Sequence, residues 1–244
     1  RDVHADGLVA EPVDPLGRHL QDDLLALVRK ELVRPDRSQI PGDDAFRFRH
    51  LLIRDTAYAS LPKGVRAELH QRFAEWLDQH GELFEQDEIV GYHYERAAQY
   101  QAEVGEDEAL RDRLSTEAAE RLGRAGRAAG ARGDVHAAMN LLQRAHHLLP
   151  EGAARRALVP DLAVALDMAG EPGAIPPLIA ELRRGSEADR STALAIEVGI
   201  DPSGLGRSTD DLVTELEAMR PALVKAGDDM SIVRCDRAIA TAEW

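Results

Sequence analysis

Cysteine and long apolar runs are the scarcest features of this chain of 244 residues. The one cysteine, Cys235, has no second cysteine with which it could form an internal disulfide. Neither a run of about 18 apolar residues nor a signal-peptide pattern is found, so we expect a cytoplasmic protein that does not enter membranes. Because the sequence begins at Arg1 and ends at Trp244 inside a predicted helix, we also expect it to be part of a longer protein.

Aromatic residues are also few, at 4% of the chain, whereas hydrophobic residues make up 44% and are dominated by alanine and leucine. This composition favours closely packed helices over sheets and predicts a mainly α fold. The formal net charge of −14 would repel a phosphate backbone over most of the surface. We therefore do not expect nucleic acid as a partner of the chain as a whole.

The motifs of common nucleotide-binding and catalytic sites are missing from the sequence. It contains no G-x-x-x-x-G-K-[ST], G-x-S-x-G, H-E-x-x-H or C-x-x-C. His70 and His93 have no second His or Cys three or four residues away, the spacing at which one helix face presents two metal ligands. We interpret both as core or capping histidines. The sequence thus predicts no catalytic residues, no metal and no cofactor for this chain by itself.

The most informative stretch, residues 46–61, changes its hydrophobic period in the middle. Phe46 and Phe48 alternate with arginines, which predicts one face of a short strand. After His50 the apolar residues recur at helical spacing until Pro62 ends the run. His50 therefore lies at a strand-to-helix corner. There its imidazole could face a neighbouring domain or a ligand, or could be a hydrogen-bonded structural residue.

The sequence before this stretch predicts a linker followed by a helix. Residues 1–17 are rich in Gly, Pro and Asp and are typical of a linker or of the end of a lost upstream domain. A helix is predicted from Gln21 onward. Its predicted buried side consists of Leu24, Leu25, Leu27, Val28 and Leu32.

A wing-like turn is predicted over residues 35–45, between a strand near residues 32–34 and the strand that begins at Phe46. Helix, strand, wing, strand and helix follow one another in the order of a winged-helix domain. We assign this winged-helix-like domain to residues 18–80.

A winged helix raises the possibility of DNA binding. From Arg34 to Arg72 there are eight basic and five acidic residues, a net charge of 8 − 5 = +3. The candidate recognition helix nevertheless carries Asp22, Asp23 and Glu31 and lacks a cluster of Arg, Asn and Gln that could contact base edges. We expect the arginines to form a solvated face and ion pairs with neighbouring acids.

Two further helices are predicted near residues 65–80 and 87–102, and residues 81–113 are assigned as connecting helices. The apolar stripe of the first is Leu69, Phe73, Trp76 and Leu77. One side of the second carries Ile89, His93, Ala97 and Tyr100, with Val90 and Tyr94 beside them.

Residues 114–244 form a series of predicted helix pairs with turns at Gly133, Gly170 and Gly227 and an additional helix near residues 188–198. The inward positions of the first pair are Ala118, Leu122, Ala125, Ala129, Ala138, Leu142, Ala145 and Leu149. These spacings match the 34-residue tetratricopeptide pattern. We predict a degenerate tetratricopeptide-like solenoid, a right-handed stack whose concave side binds a protein partner.

Two motifs carry a resemblance to a known family. F-x-F-x-H-x-L-I-R-D-x-A-Y, which begins at Phe46, and R-A-E-L-H-x-R-F-A-E-W-L, which begins at Arg66, resemble the segment that follows the ATPase module in bacterial signal-transduction ATPases of the STAND class. Some of these proteins carry an N-terminal nucleotide cyclase domain and a C-terminal helical repeat array. Leu51 departs from the best-known form of the motif, in which an Asp often follows the His.

The resemblance implies a non-catalytic regulatory segment whose partner is its own upstream ATPase domain. ATP or ADP and Mg²⁺ would bind in that domain, outside this chain. His50 and Arg54 match the motif segment in which a histidine reaches bound ADP, so the resemblance makes them candidate sensors of nucleotide state. Two alternatives stay open: a fragment of a DNA-binding transcription regulator, and part of a nucleotide cyclase whose catalytic domain lies upstream.

Overall fold

The computed structural model describes residues 15–37, 44–80, 86–105, 107–200, 208–226 and 229–242. These residues are mainly helical, as predicted, and contain one two-stranded sheet. The chain divides into two compact units, Arg1–Pro62 and Lys63–Trp244. The helix that follows Pro62 therefore belongs to the second unit, whereas the sequence analysis grouped residues 18–80 in one domain.

The first unit contains helix α1 (Pro15–Arg29), strands β1 (Val33–Asp36) and β2 (Ala45–Phe48), and helix α2 (Leu51–Ser60). The strands are antiparallel, with Val33 opposite Phe48 and Asp36 opposite Ala45. The order of helix, strand, strand and helix is the predicted one. Both strands are short, so this sheet by itself offers little surface for a core.

Two boundaries differ from those predicted. Helix α1 begins at Pro15, so residues 15–17 are helical and not a linker; a proline is well suited to the first helical position because its missing N–H has no partner there. Strand β1 extends to Asp36 and includes Pro35. A proline is tolerated in an edge strand because its missing N–H can lie on the side that has no neighbouring strand. Residues 1–14 of the predicted linker and residues 38–43 of the predicted wing lie outside the described residues.

Few side chains of the first unit are buried. Among those that the structure describes, Val33 is the buried apolar residue, at 4% exposure. Helix α2 has no buried residue, and Leu25, which was predicted to lie on the buried side of α1, is 54% exposed. A pair of helices and one hairpin cannot cover one another's apolar faces, because too few residues are available to form a second layer.

The second unit is helical throughout its described residues. Its helices are α3 (Lys63–His80), α4 (Gln86–Val104), α5 (Glu108–Ala131), α6 (Val135–Leu148), α7 (Ala153–Arg156), α8 (Val159–Met168), α9 (Ile175–Arg183), α10 (Glu187–Ile200), α11 (Thr209–Ala226) and α12 (Asp229–Ala242), with a short 3₁₀ turn at Pro172–Ala174 before α9. Helix α10 is the additional helix that the sequence predicted near residues 188–198. None of the described helices is both long and apolar enough to cross a membrane.

Helices that are neighbours in the chain pack against each other, from α3 on α4 through α4 on α5 to α5 on α6. Side-chain caps fix where two of them begin: Asp107 accepts a hydrogen bond from the Leu110 N–H at 2.8 Å, and Asp134 accepts one from the Ala137 N–H at 3.1 Å. Gly133 has φ +81°, a left-handed conformation that reverses the chain between α5 and α6. The predicted turn at Gly133 is thus confirmed.

The first helix pair buries the side that its sequence predicted. Leu122, Leu142 and Ala145 are 0–2% exposed and belong to a core that extends from α5 and α6 to α8, α9 and α10. A second core joins α10 to α11 and α12 around Leu212, Leu216, Leu223 and the buried side chain of Cys235. Both cores consist largely of Leu and Ala, as the composition indicated.

Helix α3 departs from its predicted stripe. Of the four stripe residues only Leu77 is buried, while Leu69 is 50% and Phe73 42% exposed. The buried side instead contains Ala67 and Ala74, whose small side chains allow α4 to approach closely. Ile89, at the start of the predicted stripe of α4, is also exposed, at 36%. The prediction was wrong because α3 has its extensive helix contact on one side only, with α4.

Several ion pairs join residues that lie 33 or 34 positions apart in the chain. The Arg121 guanidinium reaches Asp87, and the Arg127 guanidinium reaches Asp161, both at 3.2 Å and both across 34 residues. Arg156 likewise contacts Asp189 at 2.9 Å across 33 residues. The Arg144 guanidinium adds a bidentate contact to the buried Glu95. The Arg121–Asp87 pair joins the consecutive helices α5 and α4, the Arg127–Asp161 pair joins α5 to α8, and the Arg156–Asp189 pair joins α7 to α10, so each helps to fix how two helices align.

A buried polar cluster connects α6 to α9. His146 Nε2 lies 3.0 Å from Glu181 Oε2, and the Arg155 guanidinium contacts both residues at 3.2 Å. Burial lowers the pKa of His146 below its usual value, and Arg155 lowers it further, although the Glu181 carboxylate opposes this shift. The neutral imidazole is therefore the favoured form in the folded chain.

Gly126→Ala should destabilise the second unit, whereas Gly130→Ala, one turn later in α5, should not. A Cβ at position 126 would lie 2.8 Å from Leu142 Cγ and 3.3 Å from Leu141 Cβ, so the buried leucines would have to move, at a cost of about 1–3 kcal/mol. At position 130 the nearest atom is 3.6 Å away, and the better helix former can add up to about 1 kcal/mol. Urea unfolding of the two variants measures the difference, and equal stabilities would contradict this packing.

Lowering the pH from about 7.5 to about 5.5 should destabilise the second unit partly through His146. Since the pKa of His146 is lower in the folded than in the unfolded chain, where it is about 6.5, the unfolded state binds more protons in this window and the free energy of unfolding falls. His146→Gln removes this proton uptake and should lose less stability over the same interval. Urea unfolding at both pH values tests this, with the exposed neighbour changed in His147→Gln as the control. Equal losses in all three proteins would show that His146 makes no contribution.

Candidate functional site

His50 lies between β2 and α2, at the strand-to-helix corner that the change of hydrophobic period predicted. Its backbone is extended, with φ −129° and ψ 132°, and its carbonyl oxygen accepts hydrogen bonds from the N–H groups of Ile53 and Arg54. The side chain is exposed and makes no capping hydrogen bond to α2. The imidazole therefore projects from the first turn of α2 without serving as its cap.

Arg54 lies one turn further along α2. Its guanidinium donates to Asp55 Oδ1 from Nε at 2.8 Å and from Nη2 at 2.7 Å, and both side chains are more than half exposed. On β2, Arg47 similarly pairs with Asp36 at 2.5 Å. These two contacts match the expectation that arginines of this region pair with neighbouring acids. The nucleotide-sensing role of His50 and Arg54 stays a prediction.

Large apolar side chains near His50 in the sequence are exposed to solvent. Leu51 and Leu52, directly after it, are 68% and 80% exposed, and Phe46 and Phe48 are each 38% exposed. Exposed large apolar side chains that are contiguous in the chain indicate a surface that another protein surface covers. The sequence correctly placed these residues in the strand and the helix, but it gave no sign that they would remain uncovered within their own unit.

A groove in the second unit is lined by α5, α8 and α12, and we call it the α8–α12 groove. It contains a cavity of about 330 Å³ next to Gly126 and Gly130 and another of about 340 Å³ next to Gly199. Val164, Met168 and Arg237 line both cavities. At Gly199 a Cβ would meet no atom within 4 Å, so the missing side chain leaves space there, whereas the place of a Cβ at Gly126 is taken by Leu142.

The walls of the groove are apolar and accessible. Val164 and Met168 on α8 are 48% and 63% exposed, and Val233 on α12 is 58% exposed. At the rim the Arg127 guanidinium pairs with Asp161. Flexible methionine and valine side chains over a floor of glycine and alanine can pack around apolar side chains of a partner. The arrangement is suited to binding an apolar segment.

His70 of α3 and His93 of α4 are brought together by the fold, with their Nδ1 atoms 2.8 Å apart. Both are half-buried among rings: the centroid of Phe73 lies 4.6 Å from that of His93, and the centroid of Tyr100 lies 6.0 Å from that of His70. Burial lowers the pKa of both imidazoles, that of His93 to about 4 with a contribution from His70, and Arg96 adds to the shift of His70.

The sequence analysis missed this pair because it looked for partners on one helix. The two histidines are 23 residues apart and meet only because α3 and α4 pack against each other. A predicted helical hairpin could have suggested the contact, since His70 lies ten residues before the end of α3 and His93 lies seven residues after the start of α4.

Comparison with known proteins finds no match to this chain: no family model, no curated protein and no solved structure is similar to it. The likeness to signal-transduction ATPases therefore depends on the residues quoted from the sequence.

Proposed function

We propose that this chain is a non-catalytic regulatory and protein-interaction segment of a signal-transduction ATPase of the STAND class. In this proposal the first unit is a winged-helix-like domain that packs on a nucleotide-binding core outside this chain. The second unit is a tetratricopeptide-like array that binds a protein partner. ATP or ADP with Mg²⁺ belongs to the core, and the residues of this chain perform no hydrolysis.

The exposed apolar surface of the first unit is the observation that carries the proposal. Leu51, Leu52 and Leu25 are each more than half exposed, while Val33 is the buried apolar residue among the described side chains of that unit. Full burial of one leucine is worth about 1.5–3 kcal/mol, so leaving several in water forfeits much of a small domain's stability. A second protein surface that covers α1 and α2 would recover it. A neighbouring domain of the same protein is such a surface, and the motif from Phe46 to Tyr58 suggests that it is the ATPase core.

His50 has the position that a nucleotide-state sensor needs. It lies within the exposed apolar surface, between Phe48 and Leu51, and its imidazole is not engaged in capping α2. An imidazole N–H can donate to a terminal phosphate oxygen of ADP. A contact that forms in only one nucleotide state shifts the conformational equilibrium by its differential free energy. The proposal assigns this contact to His50, with Arg54 one helical turn away as a second candidate.

Three features support the repeat array. The α5–α6 pair has the predicted inward residues, the left-handed turn glycines Gly133 and Gly170 are 37 residues apart, and the Arg127–Asp161 ion pair connects α5 to α8 across 34 residues. The α8–α12 groove supplies a surface with exposed apolar side chains for a protein partner. The groove extends over helices of different pairs, so it exists only when the pairs are stacked.

His50→Ala should weaken ADP binding about tenfold in the protein that contains both this segment and its ATPase core. The factor corresponds to about 1.4 kcal/mol, the size of one charge-assisted hydrogen bond to a phosphate oxygen. Calorimetric titration of ADP into wild type and variant measures it. Arg34→Ala, which removes an exposed arginine on β1, is the control and should leave the affinity unchanged. Equal affinities of the His50 variant and the wild type would assign His50 a purely structural role.

The backbone amides of α2 should exchange with deuterium rapidly in this chain and slowly when the ATPase core is attached. In the chain by itself α2 has no buried residue, so local opening costs little free energy, whereas packing against a core would protect it. Hydrogen exchange followed by mass spectrometry compares the two proteins. Helix α5, buried in both, is the internal control. Rapid exchange of α2 in both proteins would contradict the proposed docking.

A further inference from the structure

The two cavities of the α8–α12 groove meet and form one slot. Val164 and Met168 of α8 and Arg237 of α12 line both of them. We call the cavity next to Gly130 the α5-side cavity and the cavity next to Gly199 the α10-side cavity. Their volumes, about 330 Å³ and about 340 Å³, lie at the lower end of the range for small-molecule sites, about 300–1,000 Å³. The slot therefore has the size and shape for an elongated small molecule.

The charged side chains are distributed unequally along the slot. Arg127, Arg237 and Asp161 line the α5-side cavity, which gives its wall a net charge of +1. In the α10-side cavity the charges of Arg237 and Asp167 cancel. The Arg127 guanidinium contacts Asp161 at 3.2 Å, but a guanidinium has five N–H donors and can contact a second carboxylate as well. The α5-side cavity is thus the end that favours an anionic group.

The α10-side cavity has the walls that an alkyl chain needs. The thioether side chain of Met168 is flexible and can adapt to such a chain. At Gly199 an added Cβ would meet no atom within 4 Å, so open space lies beside α10. The other uncharged residues of this wall are apolar or small: Pro160, Val164, Ala195, Ile196, Ile200 and Ala238. Each methylene group buried against them strengthens binding about fourfold.

We propose that the slot binds an aliphatic carboxylate of medium chain length. Its carboxylate contacts Arg127 and Arg237 in the α5-side cavity, and its alkyl chain passes Val164 and Met168 into the α10-side cavity. The positive charge at one end and the apolar wall at the other select an anionic head with an unbranched tail over a neutral or cationic molecule. Such a ligand needs neither the ATPase core nor a protein partner of the array.

The test is a calorimetric titration of sodium octanoate, below the concentration at which it forms micelles, into the full chain at pH 7. One octanoate should bind per chain. Butanoate, which is four methylenes shorter, should bind about tenfold more weakly or worse, because it leaves the α10-side cavity empty. 1-Octanol, which has the same chain length and no charge, should also bind more weakly than octanoate.

Two variants, each with a matched control, locate the ligand. Gly199→Leu places a side chain in the open space of the α10-side cavity and should weaken octanoate binding about tenfold. Gly64→Leu is its control, because Gly64 is a glycine of α3 where an added Cβ also meets no atom within 4 Å. Arg237→Gln removes a cation of the head site and should have a similar effect. Arg220→Gln is the second control, since this arginine pairs with Asp236 of α12 and lines neither cavity.

An absence of octanoate binding would overturn the proposal, as would wild-type affinity in both Gly199→Leu and Arg237→Gln or equal affinities for octanoate and 1-octanol. A peptide that ends in an apolar residue with a free carboxylate is the competing occupant. Tighter binding of that peptide than of octanoate would assign the slot to the end of a protein chain instead. Circular dichroism establishes that each variant is folded. If a substitution disrupts the fold, the chain-length and head-group comparisons on the wild type decide the question.

Discussion

Close packing of leucine side chains against glycine backbone on both sides of α5 determines the arrangement of the second unit. Leu122 of α5 lies against Gly91 of α4, where a Cβ would be 2.9 Å from Leu122 Cγ, and Leu142 of α6 lies in the same way against Gly126 of α5. Both leucines are at most 2% exposed. The distances between α4, α5 and α6 follow from these two contacts. The ion pairs of Arg121 and Arg124 with Asp87 and the floor of the α8–α12 groove depend on those distances.

The sequence predicted two kinds of feature correctly. Some are set by a few neighbouring residues, and others belong to helices that have packing partners on both sides. The strand-to-helix corner at His50 follows from a change of period within a few residues, and the turn at Gly133 follows from a glycine between two amphipathic patterns. The apolar face of α5 is wide because α4 and α6 pack on it, so a simple stripe rule finds its buried residues. Among the described elements α3 packs extensively against α4 alone, and the same rule there selected Leu69 and Phe73, which are exposed.

The candidate sites were less predictable because they depend on contacts between residues far apart in the chain. No local pattern indicates that His70 and His93 meet, since the contact is set by the relative rotation of α3 and α4. The exposure of Leu51 and Leu52 was not predicted because a contact is missing. Helix α2 lies where the pattern predicted it, but within the first unit no described element covers its apolar side chains. A sequence pattern shows which face of a helix is apolar. It does not show whether a neighbour in the same chain will bury that face.

The ion pairs between residues far apart in the chain have a consequence for changes in the length of the segments between them. Arg127 reaches an aspartate 34 residues later, and Arg156 reaches one 33 residues later. An insertion or deletion of a few residues between the partners would separate each arginine from its aspartate. The number of residues between α5 and α8, and between α7 and α10, is therefore constrained by these contacts.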